Sequence, residues 1–153
     1  MIKTGIYVDG ENVRLNGGFG LRYDVLRAYG EIGACELLRA NSYLVEDQER
    51  MNTDSRYRER VFRYYDNLRR FGFKLSRKVV KKYTDDTGKV HRKANSDLDL
   101  AIDALLQSKN LDRIILLSGD GDFTRLVVAL QNQGLRVEVV GFDSVSLELS
   151  RTA

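Results

Sequence analysis

Four aspartates, Asp9, Asp97, Asp120 and Asp122, occupy positions from which an α/β chain can bring carboxylates together. Asp120 and Asp122 follow the apolar run Ile-Ile-Leu-Leu at 114–117 and the pair Ser118-Gly119. Such a run predicts a buried parallel strand, and the C-terminal end of such a strand is where these folds hold ligands. Asp9 ends another short apolar stretch, and Asp97 opens a helical pattern. Carboxylates within a few ångströms of one another repel and raise each other's pKa values. A bound Mg²⁺ or Mn²⁺ relieves that repulsion, because hard cations take oxygen ligands. Such a cation activates water and neutralises charge developing on a phosphoryl group. Metal-assisted chemistry at a phosphoryl group is therefore what these residues suit.

Each acid also has a local explanation. Asp122 fits a helix N-cap, Asp97 fits the acid-favouring first turn of a helix, and Asp9 fits an Asx-turn. Asp120 is bracketed by Gly119 and Gly121 and is the hardest to explain locally. All four at strand or helix ends in one α/β pattern are more specific than any one alone. Three residues are candidate supports. Asn12 could orient a metal water or bind phosphate, or simply stabilise a turn. Ser118 could hydrogen-bond a phosphate or a carboxylate, or merely close the strand. Asp103, within Leu-Ala-Ile-Asp-Ala-Leu-Leu, either supports a ligand or its water or faces solvent. His91 is the only histidine, which excludes a catalytic histidine pair. The lone cysteine, Cys35, excludes an internal disulfide and fits a reducing compartment. No stretch is apolar enough for a signal peptide or a membrane span, so a cytoplasmic protein is expected.

The elements that must position these residues follow from periodicity. Strands are predicted at 4–8, 36–45, 73–83, 113–117 and 135–142. Helices are predicted at 23–29, 54–70, 96–108 and 122–133, with a short one from 147. In the helix at 54–70, Tyr57, Val61, Tyr64, Tyr65 and Leu68 recur at threes and fours, and Gly72 ends it. The stretch 47–53 reads as polar loop. Ser96-Asp97-Leu98-Asp99 resembles a capping box, followed by a core stripe of Leu98, Ala101, Ile102 and Leu105. The turn at 84–88 lets 89–93 pair back as a hairpin. Alternation of this kind implies one domain over 1–153, a mostly parallel sheet with helices on both faces, and right-handed crossovers. With the first and fourth strands adjacent at the switch point, Asp9 and Asp120 share one crevice.

The net charge of +3 conceals strong segregation. Residues 50–70 carry seven arginines against three acids, and 74–93 carry eight basic residues against two acids, leaving the remainder at −7. A basic flank beside an acidic site suits a polyanion that must be gripped and then meet a metal. Lys78, Lys81, Lys82, Arg92 and Lys93 are the candidate phosphate contacts, with Arg56, Arg60 and Arg63 extending the surface. Tyr83 is a candidate for stacking on unpaired bases. Lys93 and Asn95 lead directly into Asp97 and could carry a phosphate to the acids, or simply form a solvated loop.

Three motifs carry a family resemblance. They are Tyr7-Val8-Asp9-Gly10-Glu11-Asn12, the block 93–105 (Lys-Ala-Asn-Ser-Asp-Leu-Asp-Leu-Ala-Ile-Asp-Ala-Leu), and Leu117-Ser118-Gly119-Asp120-Gly121-Asp122-Phe123. They resemble the strand followed by D-x-x-N, the K-x-N-x-D-x-x-L-A-x-D-A-L block and the S-G-D-S-D-F signature of NYN domains. These belong to the PIN-like nuclease superfamily, and the likeness is strongest to the LabA-like group. The resemblance implies a three-layer Rossmannoid fold with a five-stranded sheet of order 3-2-1-4-5 and, here, an inserted basic hairpin. It implies a Mg²⁺- or Mn²⁺-dependent ribonuclease with its acids at Asp9, Asp97, Asp120 and Asp122, or an RNA-binding relative that keeps the fold. RNA is the expected partner, and a homodimer is compatible. Ala94 stands where the family usually has glycine. The end at Ala153, where relatives often continue, reads as a shortened C-terminus. A metal-dependent adhesion or phosphatase-like α/β domain would need D-x-S-x-S or D-x-D-x-T after the first strand, which Asp9-Gly10-Glu11-Asn12 does not supply.

Overall fold

The computed structural model describes residues 1–16, 20–93, 95–142 and 146–153, with the side chains of 92 and 93 excepted. The chain runs β1 (Ile2–Asp9), α1 (Gly10–Leu15), α2 (Tyr23–Gly30), β2 (Cys35–Glu46), α3 (Gln48–Thr53), α4 (Ser55–Arg70) and β3 (Lys74–Val79). It continues with β4 (Lys81–Thr84), β5 (Val90–Lys93), α5 (Asp97–Gln107), β6 (Arg113–Leu117), α6 (Thr124–Asn132), β7 (Arg136–Val140) and α7 (Leu147–Thr152). The main sheet has five parallel strands in the order β3-β2-β1-β6-β7. Counting only main-sheet strands, this is the expected 3-2-1-4-5.

The apolar run of β6 is continuous because both faces of the sheet are covered. Ile115 and Leu117 pack with Ile6, Val8, Leu26, Val61 and Leu68 on one side. Ile114 and Leu116 pack with Tyr7, Leu100, Ala104, Leu130 and Leu149 on the other. The α4 helix forms because its buried residues Tyr57, Val61, Tyr65 and Leu68 make one stripe, and Asp54 caps it by accepting from the Tyr57 N–H at 3.1 Å. The chain leaves that helix through Gly72 at φ +80, a left-handed conformation that favours glycine.

The structure corrects four local expectations. Residues 48–53 are helical, not loop: Asp47 accepts from the Arg50 N–H at 3.2 Å, and buried Met51 anchors the turn. The strand expected over 73–83 is two strands. β2 ends at Glu46, opposite Val79, so the main sheet offers β4 no partner and β4 pairs antiparallel with β5 instead. The capping box at Ser96 is not formed, because Asn95 Oδ1 takes the Asp97 N–H at 2.7 Å and Ser96 makes no side-chain cap bond.

The fourth correction concerns the face of α5. Leu98 is 66% exposed and Ile102 45% exposed, while Leu100 and Ala104 are buried. The reason lies in the sheet beneath. Tyr7 and Tyr43 turn hydroxyls toward α5, and buried hydroxyls require partners. The Tyr43 hydroxyl donates to Asp103 Oδ2 at 2.7 Å, and the Tyr7 hydroxyl donates to Gln107 Oε1 at 2.7 Å. Asn41 Nδ2 donates to the same Gln107 oxygen at 3.1 Å. The polar stripe of the helix therefore faces inward, and part of its apolar stripe faces solvent.

Candidate metal centre

The β1 and β6 strands lie side by side with Val8 opposite Leu117, so the residues just past their ends share one crevice. Asp9 is only 3% exposed. It caps α1 by accepting from the Asn12 N–H at 3.3 Å through Oδ1. Its Oδ2 accepts from the Ser118 hydroxyl at 2.8 Å. Ser118 Oγ in turn accepts from the Asp120 N–H at 3.1 Å, so one hydroxyl fixes both acids. Asn12 Oδ1 accepts from the Gly119 N–H at 2.9 Å and ties α1 to the same loop.

Gly10 makes that tie possible. A Cβ there would stand 2.4 Å from the Tyr43 carbonyl oxygen and 2.7 Å from Leu44 Cδ2. Only a residue without a side chain lets α1 turn directly off β1 against β2. On the other side of the loop, the Ser146 N–H donates to the Gly119 carbonyl at 2.9 Å, and Ser146 caps α7. The C-terminal helix thus buttresses the Ser118–Gly121 turn. In the sequence, only the short helix expected from 147 pointed to this element.

Asp97, the first residue of α5, completes the cluster. One carboxylate oxygen from each of Asp9, Asp97 and Asp120 lies within 4.8 Å of the other two. Burial and the adjacent charges of Asp9 and Asp120 push the Asp97 carboxyl up to about 7. Burial also raises Asp9, against the opposing effect of the Ser118 and Asn12 hydrogen bonds. The donor set is all carboxylate oxygen, which suits a hard divalent cation such as Mg²⁺ or Mn²⁺. A cation there would offset the carboxylate charges and relieve the repulsion.

The other expected site residues divide. Asp122 is exposed and outside the three-acid cluster; its N–H donates to Asp120 Oδ1 at 2.9 Å, and its charge still adds to the upward push on Asp97. Asp103 binds Tyr43 beneath α5, so it neither faces open solvent nor joins the cluster. Asn12 Oδ1 accepts from the Gly119 N–H and so braces the loop that carries Asp120. Asn95 caps Asp97. Lys78 pairs with Asp99 at 3.3 Å and Lys82 pairs with Glu49, while Lys81 is exposed. The side chains of Arg92 and Lys93 lie outside the described residues.

A serine hydroxyl that holds a ligand carboxylate tunes metal affinity from the outer shell. Ser118→Ala is expected to weaken Mn²⁺ binding by roughly 10–100-fold, read by titration calorimetry. An unchanged affinity would show that Asp9 needs no such brace.

This arrangement is an acidic crevice at the switch point of a three-layer parallel sheet, the layout of PIN-like nucleases. The NYN domain model matches residues 3–153, and the chain belongs to the NYN domain family. It is 28% identical to the low amplitude and bright protein LabA of Synechococcus elongatus, over 99% of this chain and 80% of that protein. Its fold matches a crystal structure of a protein of unknown function from Vibrio parahaemolyticus, with TM-score 0.76 and 27% identity over 99% of this chain and 89% of the other. Among the described residues, no helix is long and apolar enough to cross a membrane.

Proposed function

We propose that this protein is a Mg²⁺- or Mn²⁺-dependent ribonuclease. The observation that carries the reading is the convergence of Asp9, Asp97 and Asp120 in the crevice between β1 and β6. These three would hold the cation. When bound, it supplies Lewis-acid stabilisation of phosphoryl charge and an activated water. The chain's own residues do the positioning. Ser118 holds the Asp9 carboxylate toward the cluster, and Asn12 fixes the loop that carries Asp120. Asp122, exposed at the rim, is assigned to orient the attacking water or to hold a second cation. Lys81, together with Arg92 and Lys93, is assigned to the RNA backbone. The single cysteine agrees with action on RNA in the cytoplasm.

The test is incubation of end-labelled single-stranded RNA with purified protein and Mn²⁺, with and without EDTA, beside Asp9→Asn. Cleavage is expected only for the wild type with metal. Cleavage that survives in Asp9→Asn, or in EDTA, would overturn the assignment. Binding without cutting across Mg²⁺ and Mn²⁺ would make the chain an RNA-binding member of the family.

A further inference from the structure

The two faces of the β4–β5 hairpin differ in kind. Directly opposed residues of an antiparallel pair share a face. Tyr83 is opposite His91, and Lys81 is opposite Lys93; Lys82 is opposite Arg92, and Thr84 is opposite Val90. Lys82 reaches Glu49 of α3, so its face carries the hairpin's tie to the body of the protein, although Val90 on that face stays 58% exposed. The face carrying Tyr83 is also open outward, with Tyr83 53% exposed.

On that outward face two rings are held against each other. The Tyr83 and His91 rings stack with centroids 5.0 Å apart and planes at 17°. Asp85 holds the outer edge of the histidine, its Oδ2 lying 2.6 Å from His91 Nε2. The same carboxylate closes the hairpin turn through the N–H groups of Thr87 at 2.9 Å and Lys89 at 3.0 Å. An exposed aromatic ring backed by a second fixed ring is prepared for one more flat partner, and its ordering cost is already met by the fold. Lys81 on the same strand supplies the positive charge that a phosphate backbone needs. Position also fits. His91 precedes Asp97 by only six residues, at most about 20 Å of extended chain, so a strand lying on the hairpin reaches the acids within a few nucleotides.

We propose that the outward face of this hairpin, built on the Tyr83–His91 stack with Lys81 beside it, is the platform on which an unpaired base of single-stranded RNA stacks beside the acidic crevice. The ligand class rests on the ribonuclease reading above. Paired bases hide their faces within the helix, so the platform selects against duplex. The basic residues then divide their work. Lys82 anchors the hairpin to α3, Lys78 ties β3 to α5, and Lys81 meets the strand.

The test uses short RNA carrying 2-aminopurine, in EDTA so that nothing is cut. Stacking quenches the probe, and anisotropy reports affinity. The wild type is expected to bind the single strand in preference to the same sequence as duplex, with quenching. Tyr83→Ala is expected to lose roughly tenfold in affinity and to lose the quenching, the effect of one stacked base. Tyr83→Phe keeps the ring and is expected to match the wild type. Absence of binding by the wild type, equal binding of duplex, or a Tyr83→Ala variant that binds and quenches as the wild type does would each overturn the platform. In any of these cases, Mn²⁺-dependent cleavage abolished by Asp9→Asn would leave the ribonuclease reading standing. Tyr83-dependent stacking by a protein that never cuts would keep the platform and reject the nuclease.

Discussion

Asp120→Asn is expected to lower metal-dependent RNA cleavage on the order of a thousandfold while raising the melting temperature of the metal-free protein. Both effects come from one charge. A ligand carboxylate helps to place a cation whose stabilisation of phosphoryl charge is worth several kcal/mol, and each 1.36 kcal/mol is tenfold in rate. Without the cation, the same charge repels Asp97 and Asp9. The substitution is close to isosteric, and its amide oxygen can still accept from the Asp122 N–H.

The pH dependence follows from the folded-state shifts. Asp97 is raised to about 7 and Asp9 is raised as well, so between pH ~4 and ~7 the folded state holds more protons than the unfolded chain. Stability therefore falls as pH rises through that window, and the penalty persists above it. The wild type is expected to be most stabilised by Mn²⁺ at pH 8 and hardly at all at pH 4. Asp120→Asn should show a shallower pH slope without metal and a smaller gain with it. Scanning fluorimetry across pH with and without Mn²⁺ reads these effects, and single-turnover cleavage reads the rate. A metal-free variant no more stable than the wild type at pH 8 would mean that the acids do not repel as their proximity implies.

Gly10→Ala is expected to cost about 3 kcal/mol, at the high end for overpacking, because the added Cβ meets backbone and not a side chain that can turn away. The contact would be 2.4 Å to the Tyr43 carbonyl oxygen. For a chain of this size the melting temperature should fall by about 6–12 °C. Relief requires α1 to move off β2, which would draw Asn12 from Gly119 and disturb the cap on Asp9. Metal affinity should fall with stability. Gly20→Ala is the control, since nothing stands within 4 Å of a Cβ there, and it should change neither property. A Gly10→Ala protein as stable as the wild type would show that α1 is free to shift.

The central architecture was legible in the sequence because β6 and the end of β1 are written in residues that few environments accept. A continuous Ile-Ile-Leu-Leu is acceptable only under two covering layers, and aspartates just past two such strands fall in one crevice once the strands are adjacent, although each also caps the turn that follows it. The failures have a common cause. Periodicity records which face of a helix is apolar, not what that face must meet. The α5 helix misled because Tyr7 and Tyr43, distant in sequence, require hydrogen-bond partners from it. Residues 47–53 misled because one buried methionine suffices to dock a single turn. The basic residues of β3 and the hairpin were legible as a group, but their division between anchor and open surface depends on Asp99 and Glu49, which lie in other elements. Asp122 was ambiguous for a physical reason as well: an exposed acid at the start of a helix is shaped the same way whether it serves the turn or a ligand.

Among the described residues, the hairpin shares no strand ladder with the five-stranded sheet. Its sequence can therefore lengthen, shorten or change its aromatic residues without shifting the register that sets Asp9 beside Asp120. On the proposed reading, single substitutions on the hairpin's outer face would change the preference for RNA at little cost to folding.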